Sequence, residues 1–218
     1  MDTATFDRIL TILAEEAKEW DVPIVTLISN RTNDPFQVLV STMLSLRTKD
    51  EVTAAATKKL LTAADTPAKL VKLSIREIES LIYPVGFYRT KAVNIHKTCA
   101  TLEEKYGGRV PDSLEELLEF PGVGRKTANL VLTLGFRKPG ICVDTHVHRI
   151  TNRMGYVNTD TPHETEKALR RTLPARWWIP VNDILVAFGQ ALCRPVSPFC
   201  SACSVRTWCE QNSVTRSR

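Results

Sequence analysis

The stretch Leu117-Leu118-Glu119-Phe120-Pro121-Gly122-Val123-Gly124-Arg125-Lys126-Thr127 joins two apolar helical runs, with Leu114 ahead of it and Leu130, Val131 and Leu134 behind. Two glycines between such runs read as a tight turn, because Gly122 and Gly124 can take positive φ and let another backbone come close. The stretch therefore predicts a helix-hairpin-helix that delivers Lys126 to the first turn of its second helix. Amides opening that helix, at the positive end of its dipole, suit a phosphate. The same field, with partial burial, disfavours an ammonium, so Lys126 is expected to offer a reactive amine. Taken alone, the motif leaves open a plain hairpin with a solvated lysine.

Working outward, Val143-Asp144-Thr145-His146-Val147-His148-Arg149-Ile150 places an aspartate just before the apolar positions 147, 150 and 154, where it would cap a helix. Upstream, Phe6, Ile9, Leu10, Leu13, Ala14 and Ala17 fall at helical spacing, ending around Trp20 to Asp21. A linker with Pro23 follows, and the run from Pro35 to Leu44 is apolar nearly all round, which predicts a central buried helix. Residues 50–64 predict a helix with Val52, Ala55, Ala56 and Leu60 inward, and Thr66-Pro67 opens a short one. Ser74 with Glu77, Ser113 with Glu116 and Thr161 with Glu164 are capping-box pairs. A helix from about Arg89 to Tyr106 buries Ala92, Ile95, Cys99 and Leu102 and stops at Gly107-Gly108; another spans about Val181 to Cys193. With few strand signals anywhere, the fold class is all-α. Trp177 and Trp178 are expected to pack, and the polar tail from Glu210 to fray.

A formal charge of +5 favours a polyanionic partner without proving one. No apolar run suggests a signal peptide or a membrane span, so a reducing, cytoplasmic setting is expected. Of six cysteines, Cys193, Cys200, Cys203 and Cys209 crowd the C-terminal end as C-x6-C-x2-C-x5-C, in a segment too polar to build its own core. Four thiolates there suit either a tetrahedral zinc or an iron–sulfur cluster, and a reducing compartment weighs against disulfides. Cys99 and Cys142 read as small buried hydrophobes.

The wording Pro121 to Asn129 together with Val143 to His146 resembles the endonuclease III family of helix-hairpin-helix DNA glycosylases. The cysteine spacing, far away in sequence, is similar to that family's as well, and the likeness extends over nearly the whole chain. The resemblance implies a bifunctional base-excision glycosylase and abasic-site lyase acting on damaged bases, oxidised pyrimidines first. Lys126 would be the nucleophile, Asp144 the catalytic carboxylate, and the four cysteines the ligands of a 4Fe-4S cluster. It implies two helical lobes, residues 28–138 as a helical barrel and residues 1–27 with 139–218 as the cluster domain, with a DNA-binding cleft between. DNA contacts are expected from Arg47, Phe87, Arg89, Lys91, Gly122, Gly124, Arg125 and His146, and a monovalent cation at the hairpin carbonyls. Arg149, Arg194 and Arg206 are further candidates for phosphate.

Two positions depart from the family pattern. Arg47 stands where glutamine is usual and Phe87 where leucine is usual, both at residues that fill the gap behind an extruded nucleotide. Opposite-base preference and lesion range are therefore open. A thymine or adenine mismatch glycosylase, a non-catalytic hairpin DNA-binding protein and an iron–sulfur electron carrier are the competing readings. The expected state is a monomer, bound to double-stranded DNA and thereby associated with the nucleoid.

Overall fold

The computed structural model describes residues 1–20 and 22–218. Among them every regular element is helical, as expected: α1 (Thr3–Glu16), α2 (Ile24–Thr32), α3 (Pro35–Ser45), α4 (Asp50–Ala63), α5 (Pro67–Val71), α6 (Ile75–Ile82), α7 (Tyr88–Tyr106), α8 (Leu114–Leu118), α9 (Arg125–Leu130), α10 (Thr145–Met154), α11 (Pro162–Thr172) and α12 (Pro180–Ala191). None of these is long and apolar enough to cross a membrane. Internal contacts divide the chain into two compact units, Ile24–Lys138 and Met1–Pro23 with Pro139–Arg218.

In the continuous unit α3 is the centre, buried from Phe36 through Leu44 on nearly every face, and it packs against α2, α4, α7 and α9. Asp34 caps it by accepting from Phe36 N, with Pro35 pre-set in the first turn. Thr66 caps α5, and Ser74 with Glu77 completes the capping box of α6. On α7 the expected stripe Ala92, Ile95, Cys99 and Leu102 is buried, and Gly107 ends the helix at φ +58°. Burial pushes the Cys99 thiol up to about 12, which leaves it protonated and inert.

Two expectations fail here for one reason. The segment after Pro23 is not a linker but α2, whose inward face is Val25, Thr26 and Ser29; Ser29 Oγ donates to Leu134 O at 2.8 Å. On α4 the buried face is Thr53, Ala56, Thr57 and Leu60, while Ala55 is exposed and Val52 half-buried. Hydroxyl groups that can bond a helix carbonyl enter the core beside apolar residues and hide the periodicity.

The discontinuous unit is built on Phe6, Ile9, Leu10 and Leu13 of α1, which packs on α12 and shares one core with Ile150 of α10 and Leu185 and Phe188 of α12. Each such side chain contributes about 1.5–3 kcal/mol by burial. Phe6 also stacks on Tyr156 at 3.9 Å between ring centres. Helix α1 stops at Glu16 and passes into a 3-10 turn, Ala17–Glu19, just short of the expected end at Trp20; Asp21 lies outside the described residues. Trp177 and Trp178 pack against this core, and their ring nitrogens donate to Asp7 Oδ1 and Leu173 O. The C-terminal residues do not fray in this structure. Asn212 N donates to Arg153 O, Arg218 N to Pro198 O and Ser201 N to Arg218 O, so a segment without a core of its own is held by backbone pairing.

Candidate active site

The hairpin is built from α8, its turn and α9. Ser113 Oγ accepts from Glu116 N and starts α8; Leu117, Phe120 and Val123 are buried and anchor the turn. Leu118 is 37% exposed, because a five-residue helix can bury only one face. Gly122 takes φ +79°, and a Cβ there would lie 2.6 Å from Asn94 Nδ2 of α7. Gly124 does not share that conformation: at φ −97° and ψ 178° it is extended, it caps α9, and nothing would meet a Cβ within 4 Å. Only the first glycine is demanded by the fold. Gly122→Ala is expected to cost about 1–3 kcal/mol in left-handed strain plus displacement of Asn94, whereas Gly124→Ala should cost about 1 kcal/mol or less as a poorer cap. Thermal denaturation of the two variants, with equal losses as the contrary result, checks this.

With Gly124 as the cap, Arg125 and Lys126 are the first two residues of α9, and both are half-buried. Beyond Leu130 the helix widens into a π turn, Val131–Gly135, where the Thr133 hydroxyl bonds Asn129 O at 2.8 Å and Leu130 O at 3.3 Å.

Asp144 caps α10 as its sequence position requires. Its Oδ1 accepts from His146 N at 2.8 Å and Val147 N at 2.9 Å, and the residue is 8% exposed. The approach to it, Ile141 to Val143, is buried, and Asn182 Nδ2 of α12 bonds Cys142 O at 3.2 Å. The carboxylate is therefore fixed by the helix start that it caps. His146 leans on α12, where a Cβ at Gly189 would fall 2.3 Å from its Nδ1. The same nitrogen is 3.2 Å from an Arg149 guanidinium nitrogen that also bonds Cys193 O at 2.8 Å. Arg149 is thereby a half-buried tie between α10 and the cysteine segment, and desolvation lowers its pKa.

Cys193, Cys200, Cys203 and Cys209 line a single hollow together with Met154 and Phe188. Burial pushes the Cys203 thiol up to about 11 and raises Cys209 too, so thiolates there need a positive charge beside them. Arg153 supplies part of it. It is 6% exposed and donates to Cys193 Sγ at 3.3 Å, Arg194 O at 2.9 Å and Pro195 O at 3.2 Å. Sequence reading missed Arg153; the available signal was an arginine beside the apolar stripe Val147, Ile150, Met154. Among the described residues no three His, Cys, Asp or Glu side chains converge on one ion position. Arg194 and Arg206 are exposed, and the Arg194 guanidinium lies 5.0 Å from the centre of the Phe199 ring.

In the continuous unit the structure brings Arg47 and Phe87 together. Both are exposed, both have left-handed backbones (φ +53° and +58°), and the guanidinium stands 5.5 Å from the ring centre. Arg89 is exposed on the next turn, over Tyr88. Lys91 is the correction in this set. It is 7% exposed and its ammonium bonds Leu44 O, Leu46 O and Thr48 Oγ1, so its protons are spent inside the protein rather than on phosphate. Burial lowers its pKa to about 8.

The HhH-GPD superfamily of base excision DNA repair proteins matches residues 40–175. Endonuclease III of Thermotoga maritima is 53% identical over 182 residues, covering 84% of this chain and 85% of that protein. Endonuclease III of Escherichia coli is 36% identical over 178 residues, 82% of this chain and 84% of the other. Among solved structures, a trapped endonuclease III–DNA covalent intermediate with an estranged adenine superposes with a TM-score of 0.87 at 33% identity, over 97% of both chains.

Proposed function

This chain belongs to the endonuclease III family within the HhH-GPD superfamily of base excision DNA repair proteins, and from that premise we propose how its residues divide the work of a DNA glycosylase and abasic-site lyase. The substrate is duplex DNA carrying a damaged base, an oxidised pyrimidine before others, in a reducing cytoplasm. The target nucleotide leaves the stack, since its glycosidic bond is otherwise hidden. Arg47 and Phe87, adjacent and exposed, fill the gap. The Lys126 amine attacks C1′ of the sugar, the C1′–N bond breaks, and the base leaves with the electron pair and takes up a proton. Ring opening gives a Schiff base between Nζ and C1′. That cation acidifies the C2′ proton, whose loss expels the 3′ phosphate and nicks the strand. Asp144, pre-fixed as a cap, stabilises the positive charge developing on the sugar and carries protons. Amides around Gly122 and Gly124 with Arg125 hold a neighbouring phosphate, with Arg89 and His146 as further contacts; a monovalent cation on the hairpin carbonyls belongs to the same reading.

What carries the reading is Lys126 itself, a lysine on the first turn of α9 inside the stretch the superfamily matches. Borohydride reduction in the presence of a duplex containing an oxidised pyrimidine or an abasic site should yield a covalent protein–DNA complex. A protein that binds these duplexes, never traps and releases no base would be a non-catalytic hairpin module. Arg47 favours one second reading, a mismatch thymine or adenine glycosylase. A duplex panel in which only undamaged mispairs are cut would establish it.

For the four cysteines we propose a 4Fe-4S cluster. They line one hollow and carry a single C-x2-C pair behind a long first loop, where structural zinc sites commonly use two such pairs. A buried arginine beside Cys193 offsets part of the thiolate charge. When bound, the cluster supplies folding free energy to the segment and no step of base removal. The purified protein should be brown with broad visible absorbance. Cys203→Ser should bleach it and lower the thermal midpoint by about 10 °C or more, a few kcal/mol at this chain length. A colourless protein containing zinc would overturn the assignment.

A further inference from the structure

Lys91 has no place in the chemistry above, yet it is a buried ammonium with three bonds, and it sits where two loops meet. The first loop leaves the C-terminus of α3 and carries Arg47; the second precedes α7 and carries Phe87. Helix ends leave carbonyls without intrahelical partners, at the negative end of the dipole. Lys91, from the first turn of α7, meets that end: it donates to Leu44 O at 2.8 Å, to Leu46 O, and to Thr48 Oγ1 at 3.1 Å. Thr48 Oγ1 passes the link on, donating to Leu46 O at 3.2 Å and accepting from Gly86 N at 3.2 Å. Gly86 is pressed so closely on the first loop that a Cβ would lie 2.5 Å from Arg47 O. Both loop tips hold left-handed backbones that are unfavourable for side chains of their size, so something around them must over-determine the conformation.

We propose that Lys91 is a positioning residue that locks the Arg47 and Phe87 loops into one rigid double wedge, so that the two side chains enter the duplex as a unit when a nucleotide is extruded. The proposal rests on the wedge reading given above. Its mechanical content is that the free energy needed to unstack a base comes from two side chains already in place. Without the tether, part of that free energy goes into ordering the loops. The deficit grows with the work of extrusion, which is largest for a paired base and smallest where the base is already missing.

Lys91→Met and Thr48→Val are compared with the unaltered protein in three measurements: single-turnover base removal from a paired lesion duplex, nicking of an abasic duplex, and fluorescence of a 2-aminopurine beside the lesion, which brightens as stacking is lost. Lys91→Met should slow base removal by about tenfold to a hundredfold, as a slightly misplaced group does. It should also lower the 2-aminopurine amplitude and slow abasic nicking by a clearly smaller factor. Thr48→Val should move all three the same way to a lesser degree. Equal losses in both activities with a lower thermal midpoint would reduce Lys91 to a structural residue and overturn the proposal, as would an unchanged amplitude. If Lys91→Met does not fold, Thr48→Val decides alone by its amplitude. Arg47→Ala and Phe87→Ala separate the two levels. If both leave the amplitude unchanged, the wedge reading falls and the tether with it; if they dim it while the Lys91 and Thr48 variants do not, only the tether falls.

Discussion

Lys126→Ala is expected to abolish the borohydride-trapped complex and bring strand nicking to the uncatalysed level, with duplex affinity and fold retained. The side chain is half-buried on α9 and alanine is the better helix former, so stability should change little. The chemical loss has no such compensation. Without a primary amine at the sugar no Schiff base forms, the C2′ proton stays unactivated, and the loss exceeds what general acid–base groups supply, which is about 10²–10⁴-fold. The test is sharp, because a complex that still forms in Lys126→Ala would assign the nucleophile to another amine.

Asp144 presents the second large effect, and its cap geometry lets structure and chemistry be separated. Asparagine caps helices about as well as aspartate. Asp144→Asn should therefore keep the bonds from His146 N and Val147 N, and the thermal midpoint with them, while losing the charge. Base removal is expected to fall about 10²–10⁴-fold, the range for a positioned proton-transfer group. Asp144→Ala should show the same catalytic loss and, in addition, about 0.5–2 kcal/mol of stability. Base removal at the original rate in Asp144→Asn would leave Asp144 as a cap and nothing more. A midpoint that falls equally in both variants would mean that the charge, not the geometry, holds α10.

The caps were the most legible part of this chain. Ser74, Thr161 and Asp144 each announce a helix start through their own side chain, a signal that is local and survives without knowledge of the fold. The stripe on α7 was equally plain because all its inward residues are apolar. What escaped was polar and inward-facing. Thr26 and Ser29 made α2 look like a linker, and Thr53 and Thr57 turned α4 away from its expected face. Lys91 reads in sequence as a DNA contact and Arg153 carries no signal of its own, and their partners are carbonyls, a hydroxyl and a sulfur at least forty residues away. Such partnerships depend on which helix ends the fold brings together, and no spacing rule encodes that. At the hairpin, a shared glycine pattern concealed different backbones at Gly122 and Gly124, since glycine is also at home in extended chain.

The discontinuity of one unit bears on how the protein is made. Phe6, Ile9, Leu10 and Leu13 are synthesised well ahead of the helix that shelters them, and find α12 only after Phe188 has been added. At roughly 5–20 residues per second, α1 waits on the order of ten seconds or longer with its greasy face uncovered. Residues Ile24–Lys138, by contrast, are complete in themselves and can condense while the rest is still in synthesis. The nascent chain is thus most prone to chaperone capture at α1, and a slower passage through the codons for residues 139–180 would lengthen that exposure without touching the finished enzyme.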